Sequence, residues 1–360
     1  MIKELFGDRY IFQVTGISNV GTKRQLYNFY NSLIRFDKKI EEEDTPKNWF
    51  NAFKLLIKSL EQNRQKRKVI FIDELPWLDT PRSEFIPALE HFWNSWAFYR
   101  DDILLIVCGS ATSWMIDNLI NNYGGLHNRV TTRLHLHPFN LMETELFLKS
   151  RRGKYDHHQI LQLYMTLGGI PFYLEQLNTK RSIAQNIDEL FFSKNGFLRM
   201  EFDNLYRSLF KTHERHVSII RALAEKAKGL DRQEISRKTG LKPGGTLTKV
   251  LEELEQCGFI QQYLPFKRKN RGSLYQLVDF YSLFFLKFID GSKAKGNGAW
   301  LAQIDHPKWR AWSGYAFENI CFYHIDEIKR GIGIEAVYTC LLYTSPSPRD
   351  ATLSRMPSSA

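Results

Sequence analysis

The sequence predicts an α/β protein with a parallel sheet, followed by a helical segment and a winged helix-turn-helix. Three observations carry this. Two short apolar runs, 69–72 and 103–107, end in polar residues and are separated by a helix-length segment, the alternation that βαβ crossovers require. From 140 to 210 the apolar spacing is helical throughout. Between 211 and 290, three helix patterns precede two strands joined by a basic loop.

In chain order, residues 10–17 read as a strand closed by a turn at Gly16, and Leu26, Phe29, Leu33 and Ile34 place a helix over 21–36. Thr45 and Pro46 predict the N-cap and first position of a helix reaching through 49–65. The basic run 64–68 reads as a solvated loop. The strand after it delivers Asp73 and Glu74 to the sheet's C-terminal edge, where α/β proteins bind ligands. Such a pair holds Mg2+ and polarises an attacking water in P-loop enzymes, or it is a polar loop after a buried strand. A helix over 83–99 leads to a second buried strand, 103–108, ending at Gly109 and Ser110 on the same edge. The Ser110 hydroxyl can orient water or touch a γ-phosphate, or it caps the helix predicted over 111–121. A glycine-bearing loop, 123–130, and a short strand, 132–137, complete this part. Arg129 and Arg133 are its arginines best placed near a nucleotide, although most surface arginines bind none.

Helices follow over 141–152, 158–167, 172–177, 183–192 and 198–210, with Gly168, Gly169 and Pro171 forming a fixed bend. The winged-helix pattern comprises helices over 217–225, 233–238 and 247–256, then strands over 259–264 and 274–278. Residues 205–273 hold fifteen Lys and Arg against seven Asp and Glu, a balance suited to DNA phosphates. Glu252, Glu253 and Glu255 make the later turns of the third helix acidic. Lys242, Thr246, Thr248 and Lys249 are therefore its DNA-facing candidates, joined by Lys267, Arg268, Lys269 and Arg271 on the hairpin. Winged helices also serve as protein-docking or spacer modules, and that reading stays open. An aromatic helix over 280–289, a flexible linker over 291–298 and a helix over 309–328 carrying Glu318 end the patterned chain.

Composition bounds the function classes. The 360 residues are 43% hydrophobic and 25% charged, with a net charge of +11. No apolar run has the length of a membrane span, and the N-terminal residues lack a secretory pattern. Cys108, Cys257, Cys321 and Cys340 lack metal-ligand spacing and fit a reduced, cytoplasmic compartment. No catalytic triad is present, and His135, His137, His157 and His158 are too few and too close to form a ligand set. Residues 341–360 abandon the preceding pattern and read as translated sequencing adapter rather than a Ser/Pro tail.

Four ordered motifs add a family expectation. They are Asp73-Glu74-Leu75-Pro76-Trp77, Gly109-Ser110-Ala111-Thr112-Ser113-Trp114-Met115, Gly124-Gly125-Leu126-His127-Asn128-Arg129 and Gly168-Gly169-Ile170-Pro171-Phe172-Tyr173-Leu174, followed by the winged helix and Tyr275-Gln276-Leu277-Val278-Asp279. Together they resemble the archaeal-type AAA+ ATPases from residue 1 to about 340. The resemblance implies a P-loop NTPase core over 1–139, a helical lid over 140–210, a winged helix over 211–290 and the start of a nuclease-like domain over 291–340. It further implies ATP and Mg2+ as cofactors, Asp73 as the Mg2+-associated Walker B acid, Glu74 as the water-activating residue, Ser110 as the sensor and Arg129 as an arginine finger.

The chain departs from that family in two ways. No G-x-x-x-x-G-K-[ST] loop occurs anywhere in the sequence, so the expected core lacks its P-loop and first strand. Glu318, in Gly314-Tyr315-Ala316-Phe317-Glu318, matches the opening helix of the nuclease-like domain without its metal-holding residues. The expectation is a fragment of an ATPase that couples nucleotide chemistry to DNA, weak in ATP binding as it stands, with homo-oligomerisation open and no membrane role. The competing expectation is a DNA-binding winged-helix regulator on a non-catalytic α/β scaffold.

Overall fold

The computed structural model describes residues 2–37, 40, 45–121, 124–126, 128–210, 212–263, 272–292, 296, 298–304 and 306–337. The chain divides into two compact units, residues 1–134 and 135–360.

The first unit is a parallel three-stranded sheet, ordered β1 (Tyr10–Thr15), β2 (Lys68–Asp73) and β3 (Ile103–Val107). Phe12 pairs with Ile70 and Thr15 with Asp73 on one side of β2, while Lys68 pairs with Ile103 and Ile72 with Val107 on the other. The strand signal in β2 is its β-branched run, and burial of Val69, Ile70, Phe71 and Ile72 follows from its central place. Helices α1 (Thr22–Phe36), α2 (Trp49–Gln62) and α3 (Phe85–Ser95) complete the core. Phe12 meets Phe29 at 4.8 Å between ring centroids, Phe29 meets Trp49 at 5.6 Å, and Trp49 meets Phe85 at 4.8 Å. Truncating one of these buried rings to alanine costs about 3–5 kcal/mol.

Three local expectations are corrected here. The cap of α2 is Asn48, whose side chain accepts the Asn51 N–H, so Thr45 and Pro46 lie outside the helix. Lys68, expected in a solvated loop, opens β2 at 5% exposure with its ammonium 2.5 Å from Asp102. The strand expected over 132–137 does not form; this segment is irregular, with Leu134 74% and Leu136 69% exposed. A strand needs a neighbour to satisfy its backbone, and no described segment pairs with this one. β3 likewise departs from a doubly buried strand: Ile103, Leu105 and Val107 pack on the core, whereas Leu104 is 44% exposed.

The second unit has one continuous core from Leu148 to Ile320. Its first long helices are α4 (Leu141–Ser150) and α5 (His157–Leu167), each opened by a capping box, Asn140 with Glu143 and Asp156 with Gln159. The expected bend follows: Gly168 takes φ +63°, and Pro171 opens the next helical turn. Gly169 is required sterically, since a Cβ there would stand 1.7 Å from Phe139 O. After α6 (Phe197–Leu209) come α7 (His213–Ala224), β4 (Leu230–Asp231), α8 (Arg232–Thr239), α9 (Gly245–Gln256), β5 (Ile260–Tyr263) and β6 (Leu274–Leu277). The antiparallel sheet runs β4-β6-β5, so the short β4 adds a strand to the two expected. Three helices and this sheet make a winged helix-turn-helix. The expected single helix over 309–328 breaks at His324 into α10 (Pro307–Tyr323) and α11 (Ile325–Gly331). His324 Nε2 accepts the Leu141 N–H at 3.0 Å and its Nδ1 donates to Ile320 O at 2.9 Å. Asp188 holds the segment leading into Trp300: its two oxygens accept the Gly298 and Trp300 N–H groups, each at 2.7 Å.

Candidate functional site

The first unit concentrates polar chemistry at the C-terminal edge of its sheet. Asp73 ends β2, and Glu74 follows in the left-handed region at φ 49°, ψ 46°. That backbone costs a non-glycine residue roughly 1 kcal/mol, and such strain concentrates at functional sites. Neighbouring glycines make the turn possible. A Cβ on Gly16 would meet Glu74 O at 2.4 Å, and one on Gly109 would meet Pro76 Cδ at 2.5 Å. The ends of β1 and β3 therefore close on the acidic turn from both sides. Gly16 N–H donates to Asp73 O at 2.9 Å, and Leu75 N–H donates to Cys108 O at 2.9 Å.

The carboxylates are individually anchored. Glu74 Oε2 accepts the Ser110 hydroxyl at 3.0 Å and the Ser110 N–H at 3.4 Å, leaving Oε1 for another partner. Asp73 Oδ1 accepts the Glu74 N–H and the Cys108 thiol, both at 3.0 Å. Burial pushes the Cys108 thiol up to about 12, and its bond to Asp73 and the nearby carboxylate charges act in the same direction. The structure thus joins Asp73, Glu74 and Ser110 on one edge. It keeps Arg129 apart from them: its guanidinium lies 4.1 Å from the Phe98 ring centroid and bonds to none of the three. Arg133 is exposed.

Two further residues hold this edge, and no sequence motif marked either. Gln25, fully buried, donates to Ile17 O at 2.6 Å and Trp77 O at 2.8 Å, so it ties the loop after β1 to the turn after Glu74. Cys108 was legible only as one of several scattered cysteines. The pairing of Ile72 with Val107 is the signal that sets Cys108 beside Asp73.

The donor chemistry of this edge fits Mg2+. Asp73, Glu74 and Ser110 offer hard oxygen donors, the type Mg2+ selects. Among the described residues, no group of three or more His, Cys, Asp or Glu is arranged to hold a metal alone.

In the second unit, the candidate nucleic-acid face is the start of α9. Lys242 and Thr246 are exposed, and with Arg215, Gly244 and Gly245 they line a shallow cleft of about 280 Å³. Lys249 is exposed, 3.9 Å from Glu253. Thr248 is half-buried, its hydroxyl donating to Gly244 O at 3.1 Å and accepting from Arg232. Of the three acids on this helix, Glu253 faces the buried His216 ring at 2.7 Å, and Glu255 accepts the Gln262 N–H at 3.0 Å. Glu252 is exposed and makes no hydrogen bond or ion pair among the described residues. Lys267, Arg268, Lys269 and Arg271 lie outside the described residues.

Comparison with known proteins adds a partial family likeness. Residues 213–263, from the start of α7 to the end of β5, match the IclR helix-turn-helix domain. Among solved structures, a Walker-type ATPase of Pyrococcus abyssi is similar at 17% identity and a TM-score of 0.48, over 79% of this chain and 93% of that one. No curated protein matches the chain in sequence. No described helix is long and apolar enough to cross a membrane.

Proposed function

We propose that the sheet edge of the first unit is the metal- and water-facing side of an ATP-hydrolysing site, and that the winged helix of the second unit docks on duplex DNA. The observation that carries the first part is the Glu74–Ser110 pair. An acid in a strained backbone is anchored by the next strand, one residue after a carboxylate with one unbonded oxygen.

Each residue has a role that follows from its bonds. Asp73 Oδ2 is the oxygen left to face a cation or its water. Ser110 holds Glu74 Oε2, so Oε1 is left to accept a proton from an attacking water. When bound, Mg2+ offsets triphosphate charge at this edge. Arg129 is proposed to meet nucleotide from a second copy of the chain, because its own bonds do not lead to the acids. On the DNA side, the open N-terminus of α9 presents unpaired N–H groups beside Lys242 and Arg215, an arrangement that favours phosphate.

The test titrates Mn2+ in the presence of ATP into the full chain, with binding read by electron paramagnetic resonance. Weak association is expected, lost in Asp73→Asn and retained in Glu74→Gln. Equal binding by the wild-type chain and Asp73→Asn would remove the metal from this edge. For the second part, fluorescence anisotropy with duplex DNA should show binding that falls steeply with salt. No binding at low salt would leave the winged helix as a docking or spacer module.

A further inference from the structure

Cys108 stands where the fold gives a side chain little freedom. Its N–H donates to Ile72 O at 3.0 Å and its C=O accepts the Leu75 N–H at 2.9 Å, so its backbone is bonded on both sides just beyond β3. The next residue, Gly109, is pressed against Pro76. The thiol projects toward Asp73 and donates to Oδ1, the same oxygen that accepts the Glu74 N–H. Two donors on one oxygen fix the rotation of the carboxylate and determine which oxygen stays open.

We propose that Cys108 is the positioning residue of this edge: its S–H clamps Asp73 Oδ1 so that Oδ2 is the oxygen presented to a divalent cation. The proposal rests on the reading of Asp73 as the cation-facing acid. A chain without the clamp keeps the carboxylate but lets it rotate, so the loss appears in affinity rather than in folding. Donors that hold a ligating carboxylate typically account for a tenfold or larger part of metal affinity.

Mn2+ in the presence of ATP, titrated into the full chain and followed by electron paramagnetic resonance, tests this with three variants. Asp73→Asn is expected to lose binding. Cys108→Ala is expected to bind roughly tenfold more weakly. Cys108→Ser, which keeps a donor, is expected to recover most of the affinity. If Asp73→Asn binds as the wild type does, the cation-facing reading fails and the proposal with it. If Asp73→Asn loses binding while Cys108→Ala does not, the clamp alone is refuted. Infrared spectroscopy gives a readout independent of metal: the Cys108 S–H stretch, identified by its disappearance in Cys108→Ala, should rise in frequency in Asp73→Asn. An unchanged stretch would mean that the thiol does not bond the carboxylate.

Discussion

Arg232, the first residue of α8, donates one guanidinium nitrogen to both the Thr248 hydroxyl on α9 and Gly244 O. A side chain chosen from sequence as DNA-facing is thereby used to brace the two helices of the helix-turn-helix. Lys242 and Lys249 remain exposed beside it. Lys242→Ala and Lys249→Ala should each lower the slope of log affinity against log salt by about 1, whereas Thr248→Ala should leave that slope unchanged. Anisotropy titrations over a salt series separate these outcomes.

Two glycines of the second unit, one at the bend and one at a helix start, predict opposite responses. Gly169→Ala would place a Cβ 1.7 Å from the Phe139 carbonyl, backbone that cannot yield cheaply. A loss of about 3 kcal/mol is expected. Gly245→Ala meets nothing within 4 Å and should be neutral or mildly stabilising, because it removes chain entropy at a helix start. Urea unfolding of both variants measures the contrast.

Asp102 gives the first unit an acid-sensitive bond. Its hydrogen bonds to Arg100, reinforced by Lys68, hold its carboxyl well below the usual carboxylate range. The unfolded chain therefore binds this proton more tightly, so the stabilisation is complete above about pH 4 and is lost as pH falls below it. Asp102→Asn, which removes the countercharge of the buried Lys68, should cost about 3 kcal/mol at pH 7. The gap between variant and wild type should shrink steadily in melts taken toward pH 2, because the unfolded wild-type chain takes up a proton at Asp102 that the folded chain resists.

Asp188 accepts two backbone N–H groups of the segment leading into Trp300. An amide has only one acceptor oxygen, so Asp188→Asn turns an N–H donor toward a buried N–H. A loss of roughly 2 kcal/mol is expected, together with a red shift of tryptophan fluorescence as Trp300 gains water. An unshifted spectrum would show that the aromatic cluster holds this segment without the carboxylate.

Much of this architecture was legible because its signals are local. The β-branched run of β2, the helical spacing of Leu26, Phe29 and Leu33, and the Gly168–Pro171 bend each state their conformation within a few residues. So do the polar ends of the two apolar runs, which put Asp73, Glu74 and Ser110 on one edge. What could not be read depends on partners distant in sequence. The alternation of Leu134 and Leu136 resembles a strand, yet a strand exists only where another lies beside it. The apolar run of β3 gives no sign that Leu104 faces outward. Glu253 and Glu255 looked like a repulsive face toward DNA, but His216 and the Gln262 amide occupy them. Cys108 carries no motif, and only the register of β2 against β3 reveals its neighbour.

The outer side of β3 has a consequence for how the protein behaves in a concentrated solution. Among the described residues this strand has a single neighbour, β2, and Leu104 is 44% exposed beside the open row of amides and carbonyls. Such a row is a template on which an extended segment of another molecule continues the ladder. Self-association should therefore nucleate at β3 and grow with protein concentration. A single lysine there, Leu104→Lys, should keep the protein dispersed in light scattering while its thermal melt stays unchanged.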